Sequence, residues 1–199
     1  MRGSDRPDAF RAFIALALPH TVIDFLEKVQ HCLAGQGLRA RWVRPAGMHL
    51  TLKFLGPLPP EKVAAVQAVL RAVAARHPAL RLTVHGLGGF PNRRRPRVLW
   101  MGVSGDSTPL VDLQRDIDDG LTTLGWLPEK RSFRGHLTIA RAKGRRPFDP
   151  GIGKFLTRCE PSESVSFRGQ NLGLYRSELR PAGAVYDIIS QVALGASAA

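Results

Sequence analysis

The sequence is short of cysteine, with only Cys32 and Cys159 in 199 residues. Two thiols cannot supply a disulfide framework or a four-thiolate zinc site, and they read as ordinary thiols of a reduced compartment. Long apolar runs are also missing. No stretch approaches the roughly 18 residues that span a bilayer. The first apolar segment, Ala12 to Leu18, is too short for a leader peptide and runs straight into Pro19. These absences lead to the expectation of a cytoplasmic protein that makes no membrane contact. There is no Walker A loop, and Gly86-Leu87-Gly88-Gly89 lacks both the spacing and the strand-to-helix setting of a dinucleotide fingerprint. Carboxylates are scarce and do not cluster as a two-metal phosphodiesterase centre requires.

What is abundant is arginine. Lys plus Arg number 29 against 16 Asp plus Glu, a formal charge of +13, and only six of the bases are lysine. Codon bias accounts for arginine replacing lysine but not for the excess over acids. A basic surface attracts phosphates and releases their counterions, so the expected partner is a nucleic acid or a nucleotide. Hydrophobic residues make up 44%, enough for a core without staples at this length.

Apolar periodicity divides the chain into alternating elements. Asp8 to Leu18 alternates like a strand and Pro19 stops it. Val22, Phe25, Leu26, Val29 and Leu33 share one helix face, with Thr21 as a cap and Gly35 and Gly37 as the end. Strands are expected at 41–43, 48–55, 80–87, 98–103, 135–140, 165–174 and 185–194, and helices from Pro60, over 109–124 and over 151–157. The order predicts an α+β fold of two lobes sharing one core, with largely antiparallel sheets covered by helices. Residues 8–195 are expected to form this one bilobal domain, with 1–7 and 196–199 as flexible termini.

One short pattern occurs twice. Met48-His49-Leu50-Thr51-Leu52 and Gly135-His136-Leu137-Thr138-Ile139 lie 87 residues apart, one in each expected lobe. Residues i and i+2 of a strand face the same way. His49 therefore shares a face with Thr51, and His136 with Thr138, while the intervening apolar residues point into the core. Two imidazoles lining one cleft can divide into a protonated and a neutral member near neutrality, as acid and base work on a phosphodiester demands. The threonine hydroxyls can hydrogen-bond phosphoryl oxygens as negative charge develops. Neither a metal nor another cofactor is needed for that chemistry.

The sequence resembles the 2H phosphoesterase superfamily, defined by two His-x-Thr/Ser motifs, and more narrowly the RNA 2′,3′-cyclic phosphodiesterases, also called 2′-5′ RNA ligases. The resemblance extends beyond the motifs to Arg11–Leu16, His49–Gly56, Pro96–Trp100, His136–Arg141 and Leu172–Ser177. It implies a bilobal fold with a central cleft and no metal or other cofactor. The implied partner is RNA ending in a 2′,3′-cyclic phosphate, tRNA fragments included. It also implies His49 as the acid that protonates the departing 3′ oxygen and His136 as the base that activates water, leaving a 2′-phosphomonoester. A 5′-hydroxyl in place of water gives ATP-independent 2′-5′ ligation. Gly135 departs from the family's proline before the second histidine, allowing more backbone freedom there.

Arg141, Arg134 and Lys53 are the candidate substrate-binding residues. Arg141 lies five residues after His136, where strict alternation turns it away, yet it stands at the strand's end and matches a family arginine. Lys53 shares the parity of His49 and Thr51, and a solvated strand lysine is the competing reading. Phe54 and Phe133 offer rings for a base, although Phe54 has the parity of the core. Arg93-Arg94-Arg95 with Arg97, and Lys143 to Arg146, suit an RNA backbone or are plain solvated surface. Two further readings stay open: a phosphodiesterase for a small cyclic or 2′-5′-linked nucleotide, and a non-catalytic module that grips RNA ends.

Overall fold

The computed structural model describes residues 8–144, 146–180 and 183–195. The expected flexible termini lie outside the described residues. Among the described residues nine strands and four α-helices follow one another as β1 (Phe10–Leu16), α1 (His20–Gly35), β2 (Arg41–Trp42), β3 (Leu50–Leu58), α2 (Val63–Ala74), β4 (Leu80–Phe90), β5 (Val98–Gly105), α3 (Ser107–Thr122), β6 (His136–Arg141), α4 (Ile152–Arg158), β7 (Val165–Gly169), β8 (Asn171–Arg180) and β9 (Gly183–Ala193).

The apolar stripes fold as their spacing dictates. Val22, Phe25, Leu26, Val29 and Leu33 of α1 are all buried, and so are Leu110, Leu113, Ile117 and Leu121 of α3. Thr21 is not the cap of α1; Pro19 holds that place with no side-chain cap bond. Pro60 opens a 3-10 turn that leads into α2 rather than the helix itself.

Among the described residues all pairing is antiparallel, in a four-stranded sheet of order β3-β1-β8-β9 and a five-stranded sheet of order β2-β6-β5-β4-β7. Helix α1 packs on β6 and β7, α2 on β8 and β9, and α3 on β3. One continuous apolar core runs between helices and sheets. The two lobes are not the two halves of the sequence: β2 crosses into the second sheet, and β8 and β9 return to complete the first.

The segment 165–174 is not one strand. It breaks at Gln170, between β7 in one sheet and β8 in the other. Gly169 sits at this corner, where a Cβ would lie 3.1 Å from Leu82 of one sheet and 3.3 Å from Leu16 of the other. The two cysteines are not free thiols. Cys32 of α1 and Cys159, just after α4, form a disulfide across 127 residues of sequence. Sequence distance concealed that pairing. No helix among the described residues is long and apolar enough to cross a membrane.

Candidate active site

The two histidine motifs lie on facing strands of different sheets, because β3 carries the first, β6 carries the second, and the two strands touch. Within each motif the odd residues obey the alternation. Leu50, Leu52, Leu137 and Ile139 are buried, while His49, Thr51, His136 and Thr138 are half-buried.

Past the threonine the alternation fails, and in the same way in both motifs. On β3, Thr51 pairs with Ala15 and Lys53 with the adjacent Ile14, leaving Leu52 as an extra residue. On β6, Thr138 pairs with Trp100 and Ala140 with the adjacent Leu99, leaving Ile139 extra. An extra residue reverses the parity of all that follows. Phe54 and Arg141, each five residues after its histidine, therefore face outward.

This reverses two expectations. Lys53 is 8% exposed and lies on the core side, where its Nζ forms an ion pair with Asp118 and donates to the Leu127 carbonyl at 2.8 Å. It is a structural cation and does not line the cleft. Asp118, itself buried, also accepts the Glu129 N–H at 2.7 Å. Phe54 is 65% exposed, with its ring 6.1 Å from that of Phe13 on the His49 side. Phe133, in contrast, packs against the core. The second bulge has its own fastening: the Ile139 carbonyl accepts bonds from Val43 N–H at 2.9 Å and from Gln30 Nε2 at 2.7 Å.

His136 is held from two residues upstream: its Nδ1 donates to the Arg134 carbonyl at 2.8 Å, which leaves Nε2 for the cleft. At His49 the Gly47 backbone is the group that favours the charged form. His49 stacks on Phe13 at 4.5 Å, and Tyr186 meets its edge at 5.2 Å. Tyr175 stacks on the far side of this cluster, 5.1 Å from Phe13, and burial raises its phenol pKa. Beside His136 stand Phe90 at 4.9 Å and Trp100 at 6.2 Å. The Arg134 guanidinium lies 4.7 Å over the Trp100 ring. That ring lies so close over Gly88 that a Cβ there would collide with it. Gly135 needs no glycine-only conformation, and its carbonyl is held by Val103 N–H at 3.2 Å, so the second motif is firmly placed.

Burial is the largest influence on both imidazoles and disfavours their charged forms. It brings His49 down to about 4, opposed by the Gly47 carbonyl and reinforced by the positive charges of Arg141 and His136. His136 is lowered by burial as well, with the Arg134 carbonyl opposing and Arg141 and Arg134 adding to the effect. Arg141 thus projects its field onto both histidines. Its cross-strand neighbour is Arg41.

The basic loops divide. Arg93 pairs with Glu160 at 3.0 Å, Asn92 binds the N–H groups of Arg94 and Arg95, and Lys143 borders a shallow pocket of about 290 Å³ with Arg39 and Arg146. Among the described residues no group of three or more His, Cys, Asp or Glu is arranged to hold a metal ion.

The model of the 2′-5′ RNA ligase superfamily matches residues 19–180. A protein of Methanothermobacter thermautotrophicus named RNA 2′,3′-cyclic phosphodiesterase is 34% identical over 176 residues, covering 88% of this chain and 94% of its own. One of the same name from Aeropyrum pernix is 33% identical, covering 86% and 96%. Among solved structures, TT0787 of Thermus thermophilus superposes with a TM-score of 0.76 at 28% identity, covering 93% of this chain and 98% of that one. Escherichia coli LigT complexed with 3′-AMP shares the fold, with a TM-score of 0.65 at 24% identity and coverage of 94% and 98%.

Proposed function

The chain belongs to the 2′-5′ RNA ligase superfamily, and on that premise we propose that it opens 2′,3′-cyclic phosphate ends of RNA to 2′-phosphomonoesters by two-histidine acid–base catalysis. The observation that carries this reading is the placement of His49 and His136 at the heads of β3 and β6, contacting strands of different sheets. Relatives named RNA 2′,3′-cyclic phosphodiesterase at 33–34% identity supply the substrate class.

The cyclic phosphate sits between the imidazoles, with Thr51 and Thr138 donating to its non-bridging oxygens and Arg141 balancing their charge. His136, with Nδ1–H committed to a carbonyl, takes the proton of water through Nε2 as water attacks phosphorus. His49 protonates the departing 3′ oxygen as the P–O3′ bond breaks. In the free cleft both imidazoles favour the neutral form. The bound phosphate anion opposes the cationic field and promotes protonation of one of them. Arg134 and Phe54 flank the histidines on opposite sides, and the exposed Phe54 ring offers a face to a nucleobase. A 5′-hydroxyl replacing water gives 2′-5′ ligation at the same centre without ATP. No step in this scheme requires a metal. We place the protein in the cytoplasm on the ground of its RNA substrate, ends of cleaved RNAs such as tRNA fragments, since the Cys32–Cys159 bridge removes free thiols as support for that placement.

The deciding experiment incubates the protein in EDTA with RNA ending in a 2′,3′-cyclic phosphate, beside His49→Ala and His136→Ala. Conversion to the 2′-phosphate by the wild type alone is expected. Equal conversion by either variant removes that histidine from the chemistry, and loss of wild-type turnover on chelation overturns the metal-free scheme. If only small cyclic or 2′-5′-linked nucleotides react, the substrate is not RNA. Binding of the RNA end without turnover of any of these substrates identifies a binding module.

A further inference from the structure

Arg41 and Arg141 are direct cross-strand partners on β2 and β6, and both side chains are exposed. Residues directly opposite in an antiparallel pair share a face and stand about 5 Å apart at Cα. Two like charges so placed repel, and among the described residues neither has a carboxylate within ion-pair distance. Water and side-chain freedom keep the repulsion between exposed charges small, and an anion held by both arginines turns it into attraction.

The backbone beneath the pair is fixed with unusual care for an edge strand of two residues. Val43 N–H donates to the Ile139 carbonyl at 2.9 Å. Gln30, reaching from α1, donates to the carbonyls of both Val43 and Ile139 at 2.8 and 2.7 Å. The same bulge that turns Arg141 outward is thus tied to β2, which holds Arg41 beside it. Arg141 influences both histidines, whereas Arg41 is not among the charges that perturb either one. Arg41 lies on β2, one strand beyond the β6 that carries His136.

We propose that Arg41 and Arg141 together form a subsite for a second phosphate of the substrate, the internucleotide phosphodiester next to the cyclic end. This rests on the phosphodiesterase reading and deepens it: the enzyme distinguishes an oligonucleotide from a cyclic mononucleotide through Arg41. Arg141 is shared between the two phosphates, and Gln30 is the positioning residue that keeps the pair aligned.

The test compares adenosine 2′,3′-cyclic monophosphate with a diadenosine that carries one internucleotide phosphate and the same cyclic end. Arg41→Gln is expected to lower kcat/KM about tenfold for the dinucleotide, with the loss confined to that substrate. The salt dependence of dinucleotide binding should also weaken, because one screened charge contact with the substrate is lost. Arg41→Glu, which reverses the charge, should deepen the loss. Equal losses on both substrates, or none on either, overturn the subsite. If the wild type turns over neither substrate, the catalytic reading fails separately. Affinities for the corresponding 2′-phosphate products then decide the subsite by the same tenfold criterion, applied to the dinucleotide alone.

Discussion

Phe54 and Arg141 hold equivalent places in the two halves of the cleft. Each follows its histidine by five residues, and each is brought outward by an extra residue at the third position, Leu52 or Ile139. A duplicated backbone device thus presents an apolar ring on one side and a cation on the other, so the cleft is symmetric in its main chain and polar in its ends.

That asymmetry predicts separable kinetic losses. Arg141→Ala should lower kcat about 100-fold with KM changed little, since charge on the phosphoryl oxygens grows toward the transition state. Phe54→Ala should raise KM about tenfold with kcat nearly intact, the worth of one base stacked on a ring. Steady-state kinetics checks the first on adenosine 2′,3′-cyclic monophosphate, where no second phosphate engages Arg141, and the second on a cyclic-phosphate dinucleotide.

Under the proposed two-histidine scheme the depressed histidines set the pH optimum. That scheme needs one imidazole neutral and the other protonated, so kcat/KM should peak between the two pKa values of the free cleft, whichever residue takes which role. With His49 at about 4 and His136 below its usual 6.5, the maximum falls below pH 6.5 and activity declines above it. The kcat profile, which reports the bound state, should lie further alkaline because the phosphate anion favours protonation. A kcat/KM maximum at pH 8 contradicts the burial argument.

Lys53 and Asp118 are a buried pair, and halving it leaves a charge without a partner. Lys53→Met is expected to lower unfolding free energy by about 3–5 kcal/mol, and Lys53→Met with Asp118→Leu by distinctly less. Urea unfolding of the three proteins measures the difference. Activity of whatever fraction remains folded should survive, since neither group lines the cleft.

Closing a loop of 127 residues stabilises by about 5 kcal/mol in the chain-entropy account. Cys32→Ser should therefore lower the melting temperature under oxidising conditions and have no effect in excess reductant. Mass spectrometry after thiol labelling, without reduction, should find both cysteines blocked.

How much of this was legible in the sequence depends on the range of the interaction concerned. The helix stripes and the duplicated His-x-Thr pattern are local, and Leu33, Ile117, His49 and His136 stand where their spacing places them. Lys53, Phe54 and Arg141 were misplaced or ambiguous because parity counts residues, and a bulge is decided by which neighbour supplies the ladder. Nothing in Leu52 or Ile139 announces that it is supernumerary. The break at Gln170 and the bridge between Cys32 and Cys159 were hidden for the related reason that both depend on segments far away in the chain. Arg41 falls in the strand expected at 41–43, but its pairing with Arg141, 100 residues away, is no more visible in the sequence.

The return of β8 and β9 to the first sheet bears on how the enzyme comes into being. β1 is an interior strand whose partner β8, with Ile14 opposite Leu174, is synthesised some 160 residues later. At translation rates of about 5–20 residues per second, the sheet that carries His49 waits many seconds for its middle. Pairing across such a span is slow by topology alone. Tyr175 and Tyr186, which bed His49 through Phe13 and by direct edge contact, arrive in that same late stretch. The nascent chain therefore emerges beside messenger and ribosomal RNA with its catalytic cleft still unmade.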